Sequence, residues 1–164
     1  MADIYTAKKR SEIMSLIKSK NTKPELKMAG IFEQHGIAFE QHVQMIGKPD
    51  FALVDMGILF FVDGEFWHGH TMTPKKRETL TDFWVKKIDR NVQRDKEVNL
   101  ALRKMGVKVI RVTDRDVNRR PKWVMSKIRR SYGQLIRNAE HEARIVALRE
   151  FLSAGKEKPQ KQSK

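Results

Sequence analysis

The sequence contains no cysteine, and this absence excludes several kinds of site at once. A chain of 164 residues without thiols has no disulfide framework, no thiolate zinc site and no cysteine nucleophile. No run approaches the roughly 18 apolar residues of a membrane-spanning helix, and the N-terminal residues lack the apolar segment of a secretory signal. We therefore expect a soluble intracellular protein with no membrane partner, and the length fits one domain with a single core.

Negative charge is scarce relative to positive charge. Thirty-four lysines and arginines against twenty aspartates and glutamates give a net charge of +14. The basic residues form short clusters along the whole chain, and they are not confined to one tail. A folded basic surface of this kind favours a polyanion such as DNA or RNA as partner, although solubility accounts for part of the charge.

Helical spacing of apolar residues precedes a set of strands in the first part of the chain. The second predicted helix begins with Thr22 and Glu25 at capping-box spacing, and Gly36 marks its end. Three stretches then have the pattern of strands: residues 37–45, 50–54 and 58–62. The third stretch is apolar throughout, which predicts a central position in the sheet.

A long helix dominates the second part of the chain. The polar residues 71–80 are predicted to form a loop, after which Thr81 or Asp82 begins a helix that runs to about Met105. Residues 107–112 have the pattern of a further strand, so that strand, helix and strand resemble a βαβ unit.

These elements predict an α/β fold with a small mixed central sheet flanked by helices. Helices precede the sheet, and Pro121 begins a helical C-terminal part. We expect a single domain over residues 1–154 and a disordered basic tail over residues 155–164.

Carboxylates cluster around two of the predicted strands. Asp50 stands at the start of one strand, and Asp63 and Glu65 follow the next. If the second strand continued through Gly64, Asp63 and Glu65 would point to the same side, and a hairpin could bring Asp50 beside them. Converging carboxylates suit Mg²⁺, whereas the alternative is that these acids pair with arginines at ordinary strand ends.

Two histidines, His68 and His70, follow the carboxylates. A zinc site is not expected, because the chain has no cysteine and no second histidine pair to complete four ligands. His68 is suited to act as a general base, since imidazole titrates near neutral pH. The alternative is a surface histidine that is bound to a loop carbonyl.

Aromatic residues accompany this segment. Phe66 and Trp67 lie between glycines beside the acids, and Trp84 opens the long helix with Lys87 and Asn91 at helical spacing on one face. Rings beside a cation and an amide suit base stacking and hydrogen bonding to base edges. The alternative is that the rings belong to the core and that the helix face is an ordinary solvated surface.

Together these segments resemble, in order and spacing, the very short patch repair (Vsr) endonucleases. The matching segments are RSEIMSLIKSKNTKPEL at 10–26, KPDF at 48–51, VDGEFWHGH at 62–70, FWVKKIDRNVQRD at 83–95 and LRKMGVKVIRV at 102–112. The resemblance covers about residues 8–118. It implies a restriction-endonuclease-like core and a Mg²⁺-dependent enzyme that nicks DNA on the 5′ side of the thymine in a T:G mismatch.

The resemblance also implies partners and a location. One or two Mg²⁺ ions would be bound, and the partner would be double-stranded, mismatched DNA, together with mismatch-repair proteins. The activity would belong to the bacterial cytoplasm and its nucleoid. Residues 1–20 would form an N-terminal arm that contacts DNA.

Individual roles carry over residue by residue. The resemblance implies that His68 is the general base, that Asp50 and the backbone carbonyl of Val62 bind Mg²⁺, and that Asp63 adds a ligand directly or through water. Glu25 matches an acid near the active site, although its capping position offers a second explanation. The residues implied to contact DNA are Met14, Phe66, Trp67, Trp84, Lys87 and Asn91.

The chain departs from the family pattern where relatives bind a structural zinc. The corresponding positions are Glu65, His70, Met72 and Arg115, so no zinc is expected. We hypothesise that Glu65 and Arg115 form an ion pair there, with His70 as a further partner. The rival hypothesis is that Glu65 replaces a catalytic lysine and joins the metal site.

Two alternatives to mismatch nicking stay open from the sequence. One is a restriction-type DNA endonuclease with different or relaxed specificity. The other is a nucleic-acid-binding protein without catalytic activity.

Overall fold

The computed structural model describes residues 6–16, 20–135 and 141–156. Within these ranges the chain forms helices around one four-stranded sheet. The elements are α1 (Ala7–Leu16), α2 (Lys23–Gln34), β1 (Glu40–Gln41), β2 (Phe51–Leu53), a 3₁₀ turn (Val54–Met56), β3 (Ile58–Asp63), α3 (Pro74–Glu78), α4 (Asp82–Lys104), β4 (Lys108–Thr113), α5 (Asp114–Arg119), α6 (Pro121–Leu135) and α7 (His141–Lys156).

The sheet is mixed, with the strands in the order β1-β2-β3-β4. The pairs β1–β2 and β2–β3 are antiparallel, whereas β3 and β4 are parallel and are joined through α4. The predicted βαβ unit and the predicted inner position of β3 are therefore confirmed. An inner strand that is covered on both faces has apolar residues at successive positions, which explains the apolar sequence of residues 58–62.

Successive residues of β3 point to opposite faces of the sheet and build two cores. Phe60 packs on the face that α2 and α6 cover, where Phe32 and Phe51 meet it edge to face. Leu59 and Phe61 pack on the other face, with side chains from α4 and α7. The C-terminal helices therefore complete the fold, because each supplies buried residues to one of the cores.

The predicted helix boundaries agree closely with the structure. Thr22 is the N-cap of α2, and its side chain accepts a hydrogen bond from the Glu25 N–H. The long helix α4 has Thr81 as its N-cap and ends at Lys104, ahead of Gly106 with a φ of +78°. Capping residues and C-terminal glycines are strong local signals, which is why these helix ends could be predicted from the sequence.

Two segments differ from the prediction. The strand expected over residues 37–45 shrinks to Glu40–Gln41, because His42 takes a positive φ of 53° and turns the chain out of the extended conformation. The loop expected over residues 71–80 contains the short helix α3, which begins where the Thr73 hydroxyl accepts the Lys76 N–H.

The predicted arm and tail are only partly described. Met14 lies in α1, and residues 1–5 and 17–19 of the arm lie outside the described residues. Helix α7 extends to Lys156, so the first two residues of the predicted tail are helical, and residues 157–164 lie outside the description. Across the described ranges, no helix has the length and apolar character that a membrane span would require.

Candidate active site

A cleft of about 740 Å³ opens where β3 and β4 end. The N-terminus of α2, the loop before β2 and one face of α4 form its walls. The carboxyl ends of parallel strands lie at the same edge of a sheet, so residues that are distant in sequence meet here. Residues that line it include Glu25, Asp50, Asp63, His68, Asp95 and Arg111.

Asp50 lies directly before β2 and contacts the end of β3. Its Oδ2 accepts the Val62 N–H at 2.7 Å. The N–H and C=O of one strand residue point to the same neighbouring strand, so the Val62 carbonyl also faces the Asp50 side. Burial, together with the nearby Glu25 and Asp63 carboxylates, raises the pKa of Asp50 to about 6, although the hydrogen bond from Val62 and the charge of Arg111 lower it.

Asp63 is the last residue of β3 and is 4 % exposed. Its Oδ1 accepts a hydrogen bond from Arg111 Nη1 at 2.6 Å, and His70 Nε2 lies 3.7 Å from Oδ2. Burial alone would raise the pKa of Asp63, but the interactions with His70, Arg111 and His68 outweigh it and hold the pKa below its usual value. Asp63 is therefore an ionised carboxylate whose oxygens face Arg111 and the two histidines.

His68 follows the strand in a compact turn and is bound through its Nδ1. That atom lies 2.5 Å from Asp95 Oδ2 and 3.7 Å from Asp63 Oδ1. A carboxylate on Nδ1 favours the tautomer that carries its proton there and leaves Nε2 with a free lone pair. The imidazole therefore has the electronic arrangement of a general base.

Asp95 was not predicted from the sequence. It lies on α4 four residues after Asn91 and four before Asn99, on one face of the helix. The helical spacing that grouped Trp84, Lys87 and Asn91 extends to Asp95. The sequence therefore indicated the helix face on which Asp95 lies, but it did not indicate the contact with His68.

Glu25 lies both at the start of α2 and in the wall of the cleft. The Thr22 hydroxyl donates to its Oε1 at 2.7 Å, at the start of α2. The residue is only 5 % exposed, and its Oε2 finds no hydrogen-bond partner among the described residues. One oxygen therefore serves the helix cap, and the other is left for a ligand of the cleft.

Oxygen donors in the cleft fit a Mg²⁺ ion. In the described part of the chain, no three histidine, aspartate or glutamate side chains converge as a complete metal cluster. Mg²⁺ does not need one, because it commonly keeps several waters and takes one or two carboxylates from the protein. Asp50, the Val62 carbonyl and the unpartnered oxygen of Glu25 provide such donors.

Aromatic rings form a continuous row beside the cleft. Ring centroids are separated by 4.9 Å between Phe66 and Trp67, 5.4 Å between Trp67 and Trp84, and 4.9 Å between Trp84 and Phe83. The ammonium of Lys87 lies 5.3 Å from the Trp67 ring. These rings are at least partly exposed, so they do not belong to either core.

The turn that carries His68 packs tightly against α4. Gly69 has a φ of +72°, and a Cβ there would lie 2.9 Å from the Val92 side chain. Asn91 Nδ2 donates to the Trp67 carbonyl at 3.0 Å. Asn91 therefore braces the turn, a contact that sequence spacing did not reveal.

The four positions that the resemblance aligns with a zinc site divide into two groups. Glu65 Oε1 lies 3.6 Å from Arg115 Nη1, which confirms the predicted ion pair. His70 is not part of it, since it contacts Asp63. The strand ends at Asp63, and the Glu65 N–H donates to Asp114 at 3.1 Å, so Glu65 turns away from the cleft and does not join Asp50. Met72 lies in the same turn, where its N–H donates to the Gly69 carbonyl.

Comparison with known proteins agrees with this geometry. A sequence model of the DNA mismatch endonuclease Vsr family matches residues 2–74. The chain is 37 % identical over 132 residues to a type II nicking enzyme of Neisseria meningitidis serogroup C, which covers 79 % of this chain and 89 % of that protein. It is 34 % identical over 112 residues to the DNA mismatch endonuclease Vsr of Escherichia coli, with coverages of 67 % and 72 %.

A third relative is a type II nicking enzyme of Haemophilus parainfluenzae, 34 % identical over 133 residues, with coverages of 79 % and 94 %. Fold, cleft and relatives together define a DNA endonuclease with a restriction-endonuclease-like α/β core. More specifically, the chain belongs to the Vsr DNA mismatch endonuclease family.

Proposed function

We propose that this enzyme nicks one strand of duplex DNA at a T:G mismatch, with Mg²⁺ as cofactor and a water activated by His68 as nucleophile. The observation that carries the proposal is that His68, held by Asp95, shares one cleft with Asp50 and borders the row of partly exposed rings. The names of the relatives, a mismatch endonuclease and nicking enzymes, support it.

Asp50 and the Val62 carbonyl would hold Mg²⁺, with Asp63 and Glu25 acting directly or through ordered water. When bound, the ion would neutralise charge that develops on the phosphate. The low exposure of Glu25 and Asp63 strengthens the interaction between these carboxylates and a cation.

His68 would perform the proton transfer. Its Nε2 would take a proton from the attacking water while the water oxygen bonds to phosphorus, the bond to the leaving oxygen breaks, and that oxygen takes a proton from solvent water. The resulting imidazolium is stabilised by the Asp95 carboxylate on Nδ1, at 2.5 Å. Asp63, at 3.7 Å from the same nitrogen, adds further negative charge.

Recognition would rely on the rings. Phe66, Trp67 and Trp84 would enter the duplex from the major groove, with Met14 on the minor-groove side. Base steps next to a mismatch are poorly stacked, so separating them costs less than in matched DNA. Lys87 and Asn91 would meet the mismatched bases, and mismatch-repair proteins in the bacterial cytoplasm would be further partners.

A strand-specific cleavage assay tests the proposal. We expect nicking of one strand of a T:G duplex in Mg²⁺, loss of nicking in EDTA and in His68→Ala, and intact matched duplex. His35→Ala, which changes an exposed histidine on α2, is the control. Cleavage of fully paired DNA would instead favour a restriction-type endonuclease, and nicking by His68→Ala would refute the role of His68.

A further inference from the structure

Arg111 occupies the floor of the cleft, and the mechanism above does not use it. It lies on β4 directly opposite Phe61 of β3, and its guanidinium carbon is 4.1 Å from the centroid of that ring. Its side chain is only 15 % exposed. A cation that is this far removed from water needs charged or polar partners, because burying an unpaired charge costs free energy.

Three donor nitrogens of Arg111 are matched by three acceptors. Nη1 donates to Asp63 Oδ1 at 2.6 Å, Nε donates to Asn99 Oδ1 at 3.0 Å, and Nη2 lies 3.3 Å from Asp95 Oδ1. The guanidinium is planar, so its donor directions are fixed relative to one another. Arg111 therefore fixes the end of β3 relative to one face of α4.

The same two carboxylates are the ones that approach His68. Asp95 uses Oδ1 for Arg111 and Oδ2 for His68 Nδ1, so both of its oxygens are held. Without the cation, the two carboxylates would repel each other, and the Asp95 side chain would keep only His68 of these two partners. The orientation of the imidazole therefore depends on Arg111 through Asp95.

We infer that Arg111 is a positioning residue for His68: it holds Asp63 and Asp95 around Nδ1 and thereby fixes the orientation of the imidazole in the cleft. This inference rests on the proposed role of His68 as general base. Arg111 is itself braced from α6, because Lys127 Nζ donates to the Arg111 carbonyl at 2.7 Å. A helix that the family resemblance did not cover thereby supports the catalytic arrangement.

Arg111→Met and Arg111→Lys test the inference, with Arg149→Met as a matched control that removes an exposed arginine paired with Asp55 on the far part of the fold. Single-turnover nicking of the T:G duplex in saturating Mg²⁺ separates the rate from the affinity. We expect Arg111→Met to lower the rate roughly 10- to 100-fold, as a misplaced catalytic group does, with DNA affinity within about twofold of the parent. Arg111→Lys should recover part of the rate, and Arg149→Met should match the parent.

Long-range ¹H–¹⁵N spectra report the tautomer of each histidine. Replacing an arginine that only stabilises the fold would leave the tautomer of His68 unchanged. The parent should show one dominant tautomer for His68, and folded Arg111→Met should show a mixture. If folded Arg111→Met keeps both the rate and the single tautomer, the inference is overturned. If the methionine variant does not fold, Arg111→Lys takes its place in the test. A parental rate and a single His68 tautomer in Arg111→Lys would then show that the planar guanidinium is not needed to position His68.

His68→Ala separates this inference from the proposed function. If His68→Ala still nicks, the proposed function fails. If His68→Ala is inactive while Arg111→Met is fully active, only the positioning role fails. If Arg111 acts through His68, adding Arg111→Met to His68→Ala should cause no further loss, because residues that act as a unit are non-additive.

Discussion

Asn91 holds the Trp67 backbone carbonyl at 3.0 Å, and so one helix residue fixes the turn that carries both a ring and the neighbouring His68. In Asn91→Asp the donor becomes a carboxylate oxygen that repels the carbonyl. We expect faster amide hydrogen exchange in residues 66–70 and nicking that is roughly 10- to 100-fold slower, because the base is displaced.

The control for this change lies on the same helix. Gln93 Nε2 donates to Glu97 on the exposed side of α4 at 2.8 Å, so Gln93→Glu makes the same chemical change away from the cleft. Its exchange and nicking should match the parent. Unchanged exchange in Asn91→Asp would show that the brace is not needed.

Protonation of Asp50 should link pH to stability and to Mg²⁺ binding. The pKa of about 6 in the folded protein exceeds the ordinary value of 3.8, so the neutral carboxyl favours the folded state. This contribution is complete below pH 3.8 and is lost as pH rises through about 6. Mg²⁺ competes with the proton and should therefore raise the melting temperature more at pH 7.5 than at pH 5.

Thermal melts of Asp50→Asn check this expectation. The variant should lose the Asp50 part of the pH dependence and should respond less to Mg²⁺. Asp55→Asn, which neutralises an exposed acid paired with Arg149, should keep both behaviours. A Mg²⁺ shift in Asp50→Asn equal to that of the parent would remove Asp50 from the ligand set.

Glu65→Gln should affect stability more than chemistry. The ion pair with Arg115 is partly exposed, at 28 % for Glu65 and 54 % for Arg115, so its contribution is on the order of 0.5 kcal/mol. For a chain of this size, that corresponds to a melting temperature lower by about 1–2 °C. The difference should shrink in high salt. Loss of cleavage with an unchanged melting temperature would contradict the structural role.

Trp84→Ala should weaken binding to mismatched DNA more than to matched DNA. Stacking of one aromatic side chain on a base contributes about 1–3 kcal/mol, so we expect T:G duplex affinity to fall roughly 10- to 100-fold. Trp123→Ala is the matched control, because this ring is 43 % exposed on α6 between Arg120 and Lys127. Equal losses on both duplexes would refute a wedge that senses weak stacking.

Local patterns predicted much of this fold because they have local causes. The apolar run of β3, the caps of α2 and α4 and the strand after α4 each follow from neighbouring residues. The Glu65–Arg115 pair was also predictable, although only through the family resemblance. The short helix α3 was missed, even though the Thr-Pro at its start is a usual beginning of a helix.

Contacts distant in sequence were not predictable from local patterns. Asp95 meets His68 across 27 residues, and Arg111 meets Asp63 across 48 residues. Each of these charges, seen alone, resembles an ordinary solvated residue on a basic chain. Their roles arise only when the parallel pairing of β3 and β4 places α4 over the end of the sheet.

Helix α4 begins near Trp84 and carries Asp95 eleven residues later, and at 1.5 Å per residue the two lie about 16 Å apart along one axis. A single rigid rod thus spans from a ring proposed to sense the mismatch to the carboxylate that holds the proposed base. If both proposed roles hold, this helix fixes the distance between the recognition ring and the group that positions the base. Inserting one residue between these positions would turn one end by about 100° relative to the other, and we expect this to move the proposed wedge out of line with the proposed base.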